Sequence, residues 1–189
     1  MSSAWVAQIK SEKFDKSNQG KKVFRPREEA DFSDFVANYL RKKLTGSHGV
    51  IINREVEIRS NPGGKGERTD IHVDAVAHSE DEAMFERVTV VIEAKGVWNQ
   101  YVDTAMDTQL ADQYLRNSGC KSGIYLVGYF NCPQWDPADP MMDRAKKYSL
   151  NDLRASLNTQ ATSLSRDGLK IQAVVLDASL RGLPPNKKK

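Results

Sequence analysis

Asp70, Glu93 and Lys95 are the residues of this chain whose types and spacing can do chemistry. Glu93 and Lys95 flank Ala94 at the end of RVTVVIEAK (87–95), a run apolar at almost every other position. In a strand the two project on the same face, because side chains alternate with period two. Asp70 is the second residue of TDIHVDAVA (69–77), where Ile71, Val73 and Ala75 alternate with Asp70, His72 and Asp74. If these runs pair as a hairpin, the start of the first lies beside the end of the second. Asp70, Glu93 and Lys95 then gather at one edge of the sheet. Carboxylates so placed repel, which raises one pKa unless a cation sits between them. Hard divalent ions take oxygen ligands, and magnesium uses one or two carboxylates plus waters and substrate phosphate. Such an ion acidifies water and stabilises charge on a phosphodiester. Lys95 can orient or deprotonate the attacking water, or neutralise the developing charge. The plain alternative is an ion pair between Glu93 and Lys95. Their position weighs against it, since they interrupt a strand apolar enough to be buried, where unpaired charge is costly.

The elements that must position these residues follow from periodicity. Phe32, Phe35, Val36, Tyr39 and Leu40 make a helical stripe over about 27–44. Pro26 stands near its start, Glu28, Glu29 and Asp31 crowd its first turn, and Arg41, Lys42 and Lys43 end it, an order that suits the helix dipole. Strands are expected at 49–58, 69–77 and 87–95, with a turn-rich break at 60–67 and an acidic link at 78–86. A helix over about 100–117, a strand at 122–130, a Pro/Asp-rich loop at 132–140, a helix over about 149–165 and a strand at 169–178 complete the chain. Ser149 and Asp152 are spaced as a capping box for the last helix. The order α-β-β-β-α-β-α-β describes an α/β domain with a central mixed sheet flanked by helices. That domain is expected over 27–183. Residues 1–26 read as an extension that packs loosely or only against a partner, and 184–189 as a basic tail.

Composition narrows the function classes. Among 189 residues, 39% are hydrophobic and 28% charged, ordinary for a soluble globular domain. The net charge of +3 is supplied by Lys187, Lys188 and Lys189; without them basic and acidic residues number 25 each. A polyanion partner must therefore be argued from a site, not from bulk charge. Cys120 and Cys132 belong to no CxxC or Cys/His cluster and read as reduced, partly buried thiols, so zinc chemistry is not indicated. No apolar run approaches the roughly 18 residues of a membrane helix, and the first residues lack an apolar signal core. A cytoplasmic location is expected.

Gly63, Gly64, Lys65 and Gly66 lack the P-loop spacing and any following helix. They read as a basic loop beside Asp70 that, with Arg54, Arg59 and Arg68, can touch a nucleic-acid backbone, or as a solvated turn. Trp98 is placed either to stack on a base or sugar or to pack in the core. His48, His72 and His78 form no ligand-spaced cluster, although His72 alternates with Asp70 and Asp74 and can lie near the site.

The run R-T-D-I, a hairpin, then V-I-E-A-K-G resembles the PD-(D/E)XK nuclease superfamily, of restriction-endonuclease-like fold. Residues 27–130 match its element order, with Thr69 where the motif has proline. The resemblance implies that Asp70, Glu93 and the Ala94 carbonyl hold Mg²⁺, with Mn²⁺ as a substitute, and that Lys95 is the catalytic lysine. It further implies a glutamate on the first helix. Glu29, at the edge of the buried stripe, is the choice over Glu28. Gln109 and Tyr114, in DTQLADQYL, resemble the glutamine and tyrosine of a subset of the superfamily, at a spacing one residue longer. Gln109 would hold a phosphate or the carboxylates; Tyr114 would contact nucleic acid or fill the core. By the same resemblance the activity is DNA endonuclease, with DNA favoured over RNA, and double-strand cutting would suit a homodimer. E-x-x-F-S-D, N-R-E-V and E-A-K-G-x-W-N look like nuclease modules appended to larger proteins, including defence or restriction effectors. The rival is a non-catalytic module of the same fold that binds nucleic acid or serves assembly.

Overall fold

The computed structural model describes residues 23–44, 46, 49–59, 67–78 and 85–181. The elements are α1 (Glu29–Lys43), β1 (Val50–Arg59), β2 (Glu67–His78), β3 (Phe85–Gly96), a π-helix (Met106–Arg116), β4 (Ser122–Tyr129), α2 (Pro140–Ala145), α3 (Leu150–Leu164) and β5 (Lys170–Asp177). One five-stranded sheet runs in the order β1-β2-β3-β4-β5. Its first three strands pair antiparallel and its last three parallel. The protein is thus α/β, with a mixed sheet flanked by helices.

Alternation along the strands divides the sheet into two apolar faces. On one, Ile52, Ile71, Ile92, Ala94 and Leu126 meet Phe32, Val36 and Ala37 of α1. Burying a side chain such as Phe32 contributes about 1.5–3 kcal/mol, so this stripe fixes where α1 begins and hence where Glu29 stands. Gly128 lets the helix settle closely, because a Cβ there would lie 3.2 Å from the Phe32 ring. On the other face, Val91, Tyr125, Val127, Ile171 and Val175 are covered by the π-helix and α3. β3 lies between both layers, and every residue from Val91 to Trp98 is buried.

Three expectations change. The helix expected from about residue 100 starts at Met106, because the intervening residues form turns, with Tyr101 N–H donating to the Asn99 side chain. It is wound as a π-helix. Its buried residues Met106, Leu110, Ala111, Tyr114 and Leu115 form one stripe, a pattern that an α-helix would share. The short α2, not expected from sequence, starts where Pro140 occupies the first turn and Asp139 accepts from Met141 N–H. Finally, residues 23–26 are not a loose extension. Phe24 bridges Trp135 in parallel, and the Arg25 guanidinium lies 2.7 Å from the buried Asp136 carboxylate. Among the described residues no helix is long and apolar enough to cross a membrane.

Candidate active site

The site begins where the β2–β3 ladder ends. Pairing runs out at Ile71↔Ile92. Continuing that register sets Asp70 opposite Glu93, on the sheet face covered by the π-helix. Beyond the ladder the β2-facing N–H groups of β3 need acceptors, since buried backbone donors are almost always paired. Carboxylates take them. Ala94 N–H donates to Asp70 Oδ2 at 2.9 Å, and Gly96 N–H donates to Glu29 Oε1 at 2.8 Å. Asn99 Nδ2 donates to the same Glu29 oxygen at 2.7 Å. Gly96 is required for this fit: a Cβ there would sit 2.3 Å from the Trp98 ring. β1 is irregular at the same level. Glu55, in the left-handed region at φ 52°, interrupts the partners Arg54↔Ile71 and Val56↔Thr69.

Glu93 is 2% exposed and Lys95 9%. Lys95 Nζ lies 2.5 Å from Glu93 Oε1, whereas Glu93 Oε2 is buried with no hydrogen-bond partner. Burial first, then the Asp70 charge and more weakly that of Glu29, push the Glu93 carboxyl up to about 8, against the pull of Lys95. Burial opposes the charge on Lys95, but Glu93, Asp70 and Glu29 outweigh it and raise its pKa. The two shifts agree: once Glu93 ionises, it holds the lysine proton more tightly. Beneath the pair, Tyr125 is the β4 register partner of Glu93, and its hydroxyl donates to Val102 O at 2.8 Å. Burial, followed by the charges of Glu93 and Glu29, raises its pKa beyond the ordinary tyrosine range.

The fold therefore brings together Asp70, Glu93, Lys95, Glu29 and the Ala94 backbone. Glu28, the runner-up for the helix glutamate, is exposed at the N-cap position. Gln109 lies on the π-helix over the same sheet face, and its buried Oε1 lacks a hydrogen-bond partner among the described residues. Other expected contacts are corrected. Trp98 is 4% exposed and packed against Gly96, and Tyr114 is 7% exposed in the core, so neither offers a ring face to a polymer. Arg54 is a tether rather than a free cation: it pairs with Asp34 of α1 and donates to Ala30 O at 3.2 Å and Asp70 O at 3.4 Å. Arg68 is half exposed, 3.9 Å from Glu55. Lys65 lies outside the described residues, as do His48 and the side chain of Arg59. His72 pairs with Asp74 at 3.3 Å, further along β2. Cys120 and Cys132 are free thiols. Sequence reasoning gave no role to Asn99, although it ends the E-A-K-G-x-W-N run that follows the lysine strand.

Asp70, Glu93 and Glu29 supply carboxylate oxygens, one of them buried and unpartnered, and oxygen is the donor type that Mg²⁺ or Mn²⁺ takes. Among the described residues no group of three or more His, Cys, Asp or Glu side chains is gathered closely enough to hold a metal ion. Lys95 occupies one oxygen of Glu93, and backbone N–H groups occupy one oxygen each of Asp70 and Glu29. No protein-family model, curated protein or solved structure matches the chain.

Proposed function

We propose that this chain is a metal-dependent nuclease of the PD-(D/E)XK type and restriction-endonuclease-like fold, an endonuclease acting on DNA. The observation that carries the reading is Glu93: a buried carboxylate with one unpartnered oxygen, under the fields of Asp70 and Glu29 and capped by Lys95. Burying such a group beside two like charges is costly and contributes little to the fold. It becomes favourable if a cation joins the carboxylates. A divalent ion held by Asp70, Glu93, Glu29 and the Ala94 carbonyl would supply positive charge to the phosphodiester and acidify water.

The chain's own groups divide the remaining work. Asp70 and Glu29 are oriented by β3 N–H groups, each leaving its second oxygen outside those bonds. Lys95, 2.5 Å from Glu93 Oε1, stands where it would orient the attacking water or neutralise charge developing on a phosphoryl oxygen. The buried surroundings from Val91 to Trp98 hold these groups in a low-dielectric setting, where such charge interactions are strong. The rival, a non-catalytic module that binds nucleic acid or serves assembly, draws support from the closed Lys95–Glu93 contact. It leaves the unpartnered Glu93 oxygen without a reason.

The test is to incubate labelled duplex DNA, single-stranded DNA and RNA with the protein in Mg²⁺, Mn²⁺ or EDTA. The reading expects internal cleavage of DNA that needs metal. Binding without cleavage, by folded protein, would favour the rival.

A further inference from the structure

The Glu29 carboxylate is held by two donors that converge on one oxygen, and only one of them is backbone. Gly96 N–H and Asn99 Nδ2 lie 2.8 and 2.7 Å from Oε1. The asparagine is itself oriented. Its backbone N–H donates to Gly96 O at 2.9 Å, closing the turn after β3, and its Oδ1 accepts from Tyr101 N–H at 2.7 Å. With the oxygen engaged by Tyr101, the amide NH₂ must face Glu29. The same turn carries Trp98, packed on Gly96 and 4% exposed.

From this geometry we infer that Asn99 is a positioning residue for metal binding: it fixes one oxygen of Glu29 and leaves the other for the cation. The inference rests on the reading that Asp70, Glu93 and Glu29 hold a divalent ion. Glu29 comes from a different layer than Asp70 and Glu93, at the first turn of α1, where a free glutamate samples several rotamers. Fixing that rotamer in advance removes its ordering entropy from the binding step. Partners of this kind, behind the ligating atoms, are worth about 10–100-fold in metal affinity.

Asn99→Ser separates the two jobs of the side chain. A serine hydroxyl can still accept the Tyr101 N–H within the turn, but is too short to reach Glu29. The experiment titrates Mn²⁺, followed by electron paramagnetic resonance, into four full-length proteins: wild type, Asn99→Ser, Glu29→Gln and the double variant. Thermal melts without metal report the fold. The expected result is an Asn99→Ser affinity about 10–100-fold weaker from a protein that still melts cooperatively. In the double variant the affinity should match that of Glu29→Gln alone, because Asn99 acts through Glu29. Equal Mn²⁺ affinity in wild type and Asn99→Ser, or additive losses in the double variant, would overturn the positioning role while leaving the metal site standing. No saturable Mn²⁺ binding by the wild type would overturn both the inference and the nuclease reading beneath it.

Discussion

Replacing Glu93 by glutamine removes the carboxylate whose ionisation the fold opposes and changes little else in shape. The wild-type carboxyl titrates near 8 in the folded chain, against 4.5 for an exposed glutamate. Between those values the folded state holds a proton that the unfolded state releases. A raised folded pKa therefore contributes stability that is complete below about pH 4.5 and is lost as pH rises through 8. Within that window the loss runs at about 1.4 kcal/mol per pH unit, or on the order of 5 kcal/mol in total. At 2–4 °C per kcal/mol for a domain of this size, metal-free wild type should melt roughly 10 °C lower at pH 9 than at pH 5 on this account alone. The glutamine variant carries no such proton. Asp74 and Asp177, whose carboxyls are lowered by their hydrogen bonds and charge partners despite burial, titrate below this window and cancel in the comparison. Scanning calorimetry in EDTA between about pH 5 and 9 should show similar melting temperatures at the acid end. Glu93→Gln should be clearly more stable at the alkaline end. Parallel curves for the two proteins across the whole range would refute the claim that Glu93 is a destabilised buried acid.

Other consequences can be checked with similar economy. Mg²⁺ should raise the wild-type melting temperature, and by more at pH 9 than at pH 6, because proton and cation compete for Glu93; Asp70→Ala should abolish the gain in a thermal-shift assay. Gly96→Ala, whose Cβ would meet the Trp98 ring at 2.3 Å, should cost about 1–3 kcal/mol in denaturant unfolding and impair cleavage, since the shifted strand end carries the Glu29 contact. Arg54→Ala removes the ties to Asp34, Ala30 O and Asp70 O, and should lose about 1.5–3 kcal/mol by the same measurement while weakening cleavage.

Much of this arrangement was legible in the chain, for identifiable physical reasons. The stripe Phe32–Val36 and the alternation Ile71–Val73 are periodic signals of burial, so α1 and the hairpin could be written down with nearly their observed limits. Hairpin geometry then forces Asp70 beside Glu93. The resemblance implied a glutamate on the first helix, and the edge of the buried stripe singled out Glu29 among the acids there. The tie of Arg54 to α1 follows from parity, since Arg54 shares the strand face of Ile52 that packs on the helix carrying Asp34. Trp98 and Tyr114 were ambiguous because an aromatic ring serves core and stacking alike, and only the packing around Gly96 and under the π-helix decides. The role of Asn99 could not be read, because a turn has no periodicity and its partner Glu29 is 70 residues away. The π winding was equally hidden, since apolar pairs every four to five residues look like an ordinary helical stripe.

We propose that Asp70, Glu93 and Lys95 hydrolyse phosphodiesters with a divalent ion. The most direct measurement is conversion of supercoiled plasmid to nicked and linear forms by wild type, Asp70→Ala and Lys95→Ala in Mg²⁺. Wild type should nick the plasmid only with metal, Lys95→Ala at least about 10²–10³-fold more slowly and Asp70→Ala not at all, from proteins that melt cooperatively. Nicking of equal rate by all three proteins would place the chemistry elsewhere in the chain and contradict the account.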